Sequence, residues 1–235
     1  MRYLFGGLLS LSLISCQNSS FDACGTDFGL NKVEVVRATT RVANDSRGAT
    51  VKVFSIRPRG KAFGTGTAFK YKGQTIILTA AHVIDSLDNE VIVQTDFQEL
   101  PGTVVYMDSI SDLAVITVSQ ELDVRSIPLR QVRERNIKIG VDVLYSGYPN
   151  DVNLLTVEGY IAGLHQRGHL YMHSYGWSGA SGSAVFDTNG RLVGVLVALD
   201  VGKGLFGMPN IIEDLVIVVP IWKLNFGLLD VNLGL

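Results

Sequence analysis

From residue 49 onward the chain is a succession of short apolar runs separated by turn residues. The runs fall at 50–56, 64–71, 75–79, 90–96, 102–107 and 113–118, then again at 142–147, 156–164, 169–173, 183–187, 191–199 and 216–220. They are rich in Val, Ile, Thr, Phe and Tyr, whose branched or aromatic side chains suit a pleated, half-buried surface. Lys72-Gly73, Pro101-Gly102, Tyr148-Pro149-Asn150, Arg167-Gly168 and Asn189-Gly190 punctuate them. Asn-Gly between two apolar runs is the strongest of these hairpin signals, because its turn needs positive φ at both central residues. Many short strands at regular spacing predict an all-β architecture. Six runs, a polar stretch at 125–138 and six more runs predict two six-stranded antiparallel β-barrels, over residues 49–130 and 131–235.

The first residues read differently. Met1-Arg2 supplies a positive charge, and residues 3–14 are apolar with Gly and Ser, too short a run to span a bilayer. This is the layout of a secretory signal over residues 1–15. Leu13-Ile14-Ser15-Cys16 resembles a bacterial lipobox, which implies lipidation of Cys16 and cleavage just before it. Each buried methylene of such a lipid contributes about 0.8 kcal/mol, so several acyl chains hold a protein firmly to a membrane. The expected location is the cell envelope, on its periplasmic or cell-surface face; Gln17 in place of the Asp that retains such proteins at the inner membrane favours the outer one. Residues 16–48 read as a polar tether with one early strand near 33–36. If Cys16 is acylated, Cys24 is the one remaining thiol and no intrachain disulfide is possible; if not, the two could pair.

Composition narrows the function. The chain has 235 residues, 47% hydrophobic and 18% charged, enough apolar content to exclude intrinsic disorder. Its formal charge of -2 gives no basic excess, so nucleic acid is not an expected partner. No uninterrupted apolar run of 18 residues exists, which excludes a multi-span helical membrane protein.

The four histidines, His82, His165, His169 and His173, all precede Ser181. An α/β-hydrolase needs its His after its nucleophile, so that class is excluded, and Ser178 in Gly176-Trp177-Ser178-Gly179-Ala180 is set aside with it. The remaining order is His, Asp, Ser. Thr79-Ala80-Ala81-His82 follows an apolar strand, Asp112 opens Asp112-Leu113-Ala114-Val115-Ile116, and Ser181 lies in Gly179-Ala180-Ser181-Gly182-Ser183-Ala184. With these motifs the sequence resembles trypsin-like serine proteases of the chymotrypsin fold, and among them the protease domain of the high-temperature-requirement family. Gly64-Thr65-Gly66-Thr67-Ala68-Phe69, Gly147-Tyr148-Pro149, Thr156-Val157-Glu158-Gly159-Tyr160-Ile161 and Asn189-Gly190-Arg191-Leu192-Val193-Gly194-Val195 carry the resemblance further, over about residues 49–222. It implies a double barrel with the active site at the barrel interface, polypeptide substrates and no cofactor. The chain ends soon after Trp222, so the peptide-binding module that often follows this protease domain is expected to be absent.

A serine hydroxyl is a poor nucleophile at neutral pH and needs an adjacent base. The resemblance makes Ser181 the nucleophile, His82 the general base, and Asp112 the carboxylate that orients and stabilises the imidazolium. The amides of Gly179 and Ser181 become the oxyanion hole, Gly179 accepting the required backbone angles without a Cβ penalty. Tyr175, Leu196 and Ala198 become the substrate pocket, apolar and without a carboxylate or His at the selecting positions, which favours a small or medium apolar P1 residue. Ala180 replaces the acid that pairs with a new N-terminus in digestive relatives, so no activation by N-terminal insertion is expected. His165, His169 and His173 are spaced four apart, but no Cys, acid or H-E-x-x-H motif accompanies them, so no metal site is expected. The competing class is a catalytically inactive, lipid-anchored peptide binder on the same scaffold.

Overall fold

The computed structural model describes residues 40–58, 60–165, 167–203 and 209–235, with the side chains of 198–203 and 209–213 outside that description. The expected signal peptide, Cys16, Cys24 and the early strand near 33–36 lie outside the described residues.

The first barrel uses β1 (Thr50–Arg57), β2 (Gly60–Tyr71), β3 (Gln74–Thr79), β4 (Glu90–Gln94), β5 (Glu99–Asp108) and β6 (Leu113–Val118). Their order is β1-β4-β5-β6-β3-β2, closed by pairing of β1 with β2, and the two-residue β7 (Ile127–Pro128) adds to β2 in parallel. The second barrel closes as β10-β13-β12-β11-β8-β9 from β8 (Asp142–Gly147), β9 (Leu155–Leu164), β10 (Leu170–His173), β11 (Ala184–Asp187), β12 (Leu192–Lys203) and β13 (Pro209–Pro220). The all-β, double six-stranded barrel read from the sequence is what the structure has.

Alternation of apolar residues gives each barrel its own core. Val51, Val53, Ile77, Val91, Val93 and Ile116 fill the first; Tyr145, Ile161, Leu170, Met172 and Val218 fill the second. Phe69 of β2 and Phe186 of β11 meet with ring centroids 6.0 Å apart, joining the barrels.

Two helices depart from the expected layout. Residues 41–48 are a helix, α1 (Arg41–Gly48), where a tether was expected; the Thr40 hydroxyl caps it by accepting from the Ala43 N–H at 3.1 Å. It packs on the second barrel, where the Ser46 hydroxyl donates to that of Ser146 (2.9 Å) and Arg47 donates to Thr156 Oγ1 (3.0 Å). The second barrel's segment likewise ends in α3 (Phe226–Leu233), capped by Asn225 and docked on the first barrel. There Asp230 accepts from the Tyr71 hydroxyl (2.9 Å) and pairs with Lys72 (2.6 Å), and Asn232 donates to the Val105 carbonyl (2.7 Å). Each end of the described chain therefore clamps the barrel that the other end builds.

Candidate active site

His82 lies on α2 (Ala81–Ile84), a single turn that β3 feeds directly. Ala80 and Ala81 are buried at its start, and only small side chains let the turn sit against the barrel. The turn is tied to Asp112 through three hydrogen bonds. The Asp112 carbonyl accepts from the Ala81 N–H (3.2 Å), Oδ1 accepts from the His82 N–H (2.8 Å), and Oδ2 meets His82 Nδ1 at 2.7 Å. Asp112 adopts φ 56°, a left-handed conformation costing roughly 1–2 kcal/mol that Asp tolerates better than most residues. The preceding turn holds it there: Asp108 accepts from the Ile110 N–H (2.9 Å) and the Ser111 hydroxyl (2.6 Å). The Ser111 hydroxyl first, then the Ile110 and Ser111 backbone amides, keep the Asp108 carboxyl below its usual pKa.

Ser181 comes from the loop between β10 and β11. Its carbonyl accepts from the Thr65 N–H at 2.8 Å, and its hydroxyl donates to the Val197 carbonyl at 3.3 Å. Gly64 lies between this loop and the His82 turn: a Cβ there would stand 2.5 Å from Val83 Cγ2 and 2.9 Å from the Ser181 carbonyl. The close approach of the two halves of the site thus requires glycine at 64.

The backbone before Ser181 is turned in a definite sense. The Ser178 carbonyl accepts from the Asn150 N–H at 2.6 Å. In a trans peptide the N–H points opposite to the C=O, so the Gly179 N–H is directed away from Asn150. Among the described residues neither the Gly179 nor the Ser181 N–H has a hydrogen-bond partner. Gly179 takes φ +90°, and a Cβ there would meet Phe63 Cε1 at 2.5 Å and the Tyr148 carbonyl at 2.6 Å. The fully buried Thr65 braces the same loop: its hydroxyl donates to the Gly179 carbonyl (2.8 Å) and accepts from the Tyr148 N–H (3.1 Å). Asn150 and Asp151 are both left-handed, φ 50° and 57°, and Lys52 of the first barrel pairs with Asp151 at 2.6 Å. Ala180 is completely buried.

The expected pocket residues separate. Tyr175 is exposed and stacks on Trp177, centroids 5.9 Å apart, while its carbonyl accepts from the buried Tyr145 hydroxyl (2.6 Å). Leu196 is 2% exposed and packs in the second barrel's core with Met172 and Val216, where a pocket wall was expected. Apolar character read from sequence does not say which side of a strand a residue takes, and the pairing with β13 bulges between Leu196 and Ala198. Ala198 pairs with Ile217, its side chain lying outside the description. The other histidines go elsewhere: His165 stacks on His169 (5.7 Å), and His173 stacks on Tyr160 (5.0 Å) beside Asp214. No cluster among the described residues is arranged to hold a metal.

Two closed barrels, with an imidazole–carboxylate pair on one and a glycine-flanked serine on the other, define the class of chymotrypsin-type serine peptidases. The chain belongs to the trypsin-like peptidase domain family, which it matches over residues 64–195. It is 28% identical over 214 residues to a serine protease described as HtrA-like from Staphylococcus aureus. That match takes in 81% of this chain and 26% of the relative, so the chain spans about a quarter of the curated relatives' length. Among solved structures it is similar to a Mycobacterium tuberculosis protease in its active form, with TM-score 0.61, 24% identity and coverage of 78% of this chain and 81% of the other. A serine endoprotease from Yersinia pestis aligns with TM-score 0.63 at 24% identity, covering 83% of this chain and 68% of that one. At such identity the structural likenesses speak for the shared fold.

Sequence reasoning quoted Thr65 within a motif without giving it a role, and passed over Lys52. A buried Thr in a Gly-Thr-Gly-Thr strand looks like any β residue until its partners, 83 and 114 positions away, are known.

Proposed function

We propose that this chain is a serine endopeptidase in which Ser181, His82 and Asp112 act together. The observation that carries the reading is Asp112 accepting from both the His82 amide and its ring, with Ser181 held across Gly64. When a peptide binds, the Ser181 hydroxyl leaves the Val197 carbonyl and gives its proton to His82 Nε2 as Oγ attacks the scissile carbonyl. Hydrogen bonds of this kind often form fully only with substrate present. Asp112 keeps the imidazole in the tautomer with the proton on Nδ1 and stabilises the imidazolium. The tetrahedral oxyanion falls between the Gly179 and Ser181 amides, each such donor supplying about 100- to 1000-fold in turnover. His82 then protonates the leaving amine, and water, activated in the same way, hydrolyses the acyl-enzyme.

Residues 174–178 offer Tyr175 and Trp177 and no carboxylate, which favours an apolar P1 residue. With Ala180 buried beside Ser181, the oxyanion loop is held by Asn150 and Thr65 rather than by a new N-terminus. Lipidation at Cys16 would place the enzyme on the envelope, acting on envelope or extracellular proteins. A fluorophosphonate probe tests the chemistry. It labels the wild type and not Ser181→Ala, whose turnover falls about 10^6-fold, while Asp112→Asn loses about 10^4-fold. Wild-type protein that is folded yet unlabelled would remove the reading.

A further inference from the structure

His82 is gripped from its carbonyl side as well as from its amide side. A single helical turn leaves its last carbonyls without intrahelical partners. In α2 side chains meet all three. Arg57 Nη2 donates to the carbonyls of His82 (2.8 Å) and Val83 (3.1 Å), and the Ser55 hydroxyl donates to that of Ile84 (2.7 Å), which also accepts from the Asn89 amide (2.8 Å). Ser55 and Arg57 are two apart on β1, so both project from the same face of the strand, the face over the turn. Asp85 ends the turn at φ 74°, its N–H closing on the Ala81 carbonyl at 2.8 Å.

The guanidinium is directed at peptide rather than at charge. Asp85, the carboxylate paired with it, stands 3.8 Å from Nε, beyond hydrogen-bond range, and Nε itself is buried without a hydrogen-bond partner. Arg57 is also the last residue of β1 and pairs with Gly60, the first of β2, so a paired strand end carries it. With the amide and Nδ1 of His82 on Asp112 and the carbonyl on Arg57, every polar atom of His82 except Nε2 is committed.

We infer that Arg57 is a positioning residue for the reaction: by fixing the His82 peptide it sets the direction in which Nε2 meets the Ser181 hydroxyl. The inference rests on the serine-peptidase reading above. Arg57 touches no reacting atom, so its loss alters alignment, not chemistry. Misplacement of a reacting group by about 1 Å costs on the order of 100-fold in rate. Arg57→Met is therefore expected to lower kcat, and the rate of fluorophosphonate labelling, by about 10- to 100-fold, with KM within about threefold of wild type. Arg57→Lys, which keeps a cationic donor but on a flexible stem without the planar guanidinium, recovers part of the loss. Ser55→Ala removes a bond to the same turn without touching the His82 peptide, and keeps kcat within about threefold while lowering Tm.

Labelling and kcat unchanged in Arg57→Met, with the wild type active, overturn the inference. So does a loss of kcat in Ser55→Ala as large as that in Arg57→Met at equal loss of Tm, which would make the role merely structural. If Arg57→Met does not fold, Arg57→Lys and Arg57→Gln are read by the same criteria. A folded wild type that the probe leaves unlabelled fails at the earlier step and takes the peptidase reading down with the inference.

Discussion

The two halves of the site are held by different kinds of constraint. His82 and Asp112 both belong to the first barrel, lie 30 residues apart and are locked by three hydrogen bonds of their own. The Ser181 loop belongs to the second barrel but takes much of its shape from the first, directly through Thr65, 114 residues from Gly179, and indirectly through Lys52, which pairs with Asp151 in the turn whose Asn150 N–H reaches the Ser178 carbonyl. The His82–Asp112 pair is thus organised inside one folding unit. The Gly179–Ser181 loop depends on the two barrels being docked, and under the proposed reading an arrangement of this kind can lose activity while each barrel stays folded.

The sharpest test of that difference is Thr65→Val. It keeps the side chain's shape but leaves the buried Gly179 carbonyl and Tyr148 N–H without their partner. Unsatisfied buried groups cost about 1–3 kcal/mol each, and the loop relieves the cost by turning the Gly179 region. We expect kcat to fall about 100-fold, the size of losing one oxyanion donor, with KM little changed and Thr65→Ser near wild type. Steady-state kinetics on the three proteins checks it. A Thr65→Val enzyme of full activity would show that the loop holds itself.

How far these parts are legible in the sequence follows the same division. Asp112 can be found because an acid ahead of Leu-Ala-Val-Ile needs a partner, and His82 because Ala-Ala-His ends an apolar strand. Those signals are local. Thr65 and Arg57 carry no local mark, since their partners are main-chain groups elsewhere in the chain. The helices α1 and α3 escaped for a related reason. Arg-Val-Ala-Asn-Asp-Ser-Arg-Gly offers only Val42 and Ala43 as apolar side chains beside its glycine, too few to repeat at helical spacing, and Phe-Gly-Leu-Leu-Asp-Val-Asn-Leu has apolar residues all round with no single face. Tertiary docking, not periodicity, makes them helical. Leu196 went to the core because apolar character does not specify a facing, and the bulge beside it breaks the simple alternation.

A smaller effect is expected at Lys52. Its ammonium pairs with Asp151 at 2.6 Å and lies 5.0 Å from the Tyr148 ring centroid, steadying two left-handed residues that present the Asn150 N–H to Ser178. Exposed ion pairs contribute about 0.2–1 kcal/mol and a cation–π contact about 0.5–1 kcal/mol. Lys52→Met should therefore lower kcat by roughly 3- to 10-fold. Because the Asp151 side chain is 60% exposed, added salt should bring the wild type down toward the variant and leave the variant almost unmoved. Equal salt dependence in both proteins would detach the ion pair from the loop.

The smallest effect belongs to the His82–Asp112 half, where Asp108 supports the turn carrying Asp112. Its folded pKa lies below the unfolded value of 3.8, so the folded state binds fewer protons in that range. The stabilisation is complete above 3.8 and is lost as pH falls through the lower folded value. Asp108→Ala should therefore melt below wild type at about neutral pH, and the gap in Tm should close on acidification through that window. Activity at neutral pH should fall only about two- to fivefold, because Asp112 keeps its bonds to Ala81 and His82 without Asp108. Melting curves over a pH series, beside kcat at neutral pH, check both statements. A loss of activity in Asp108→Ala exceeding that in Thr65→Val would reverse the contrast, making the first-barrel half the one that depends on remote support.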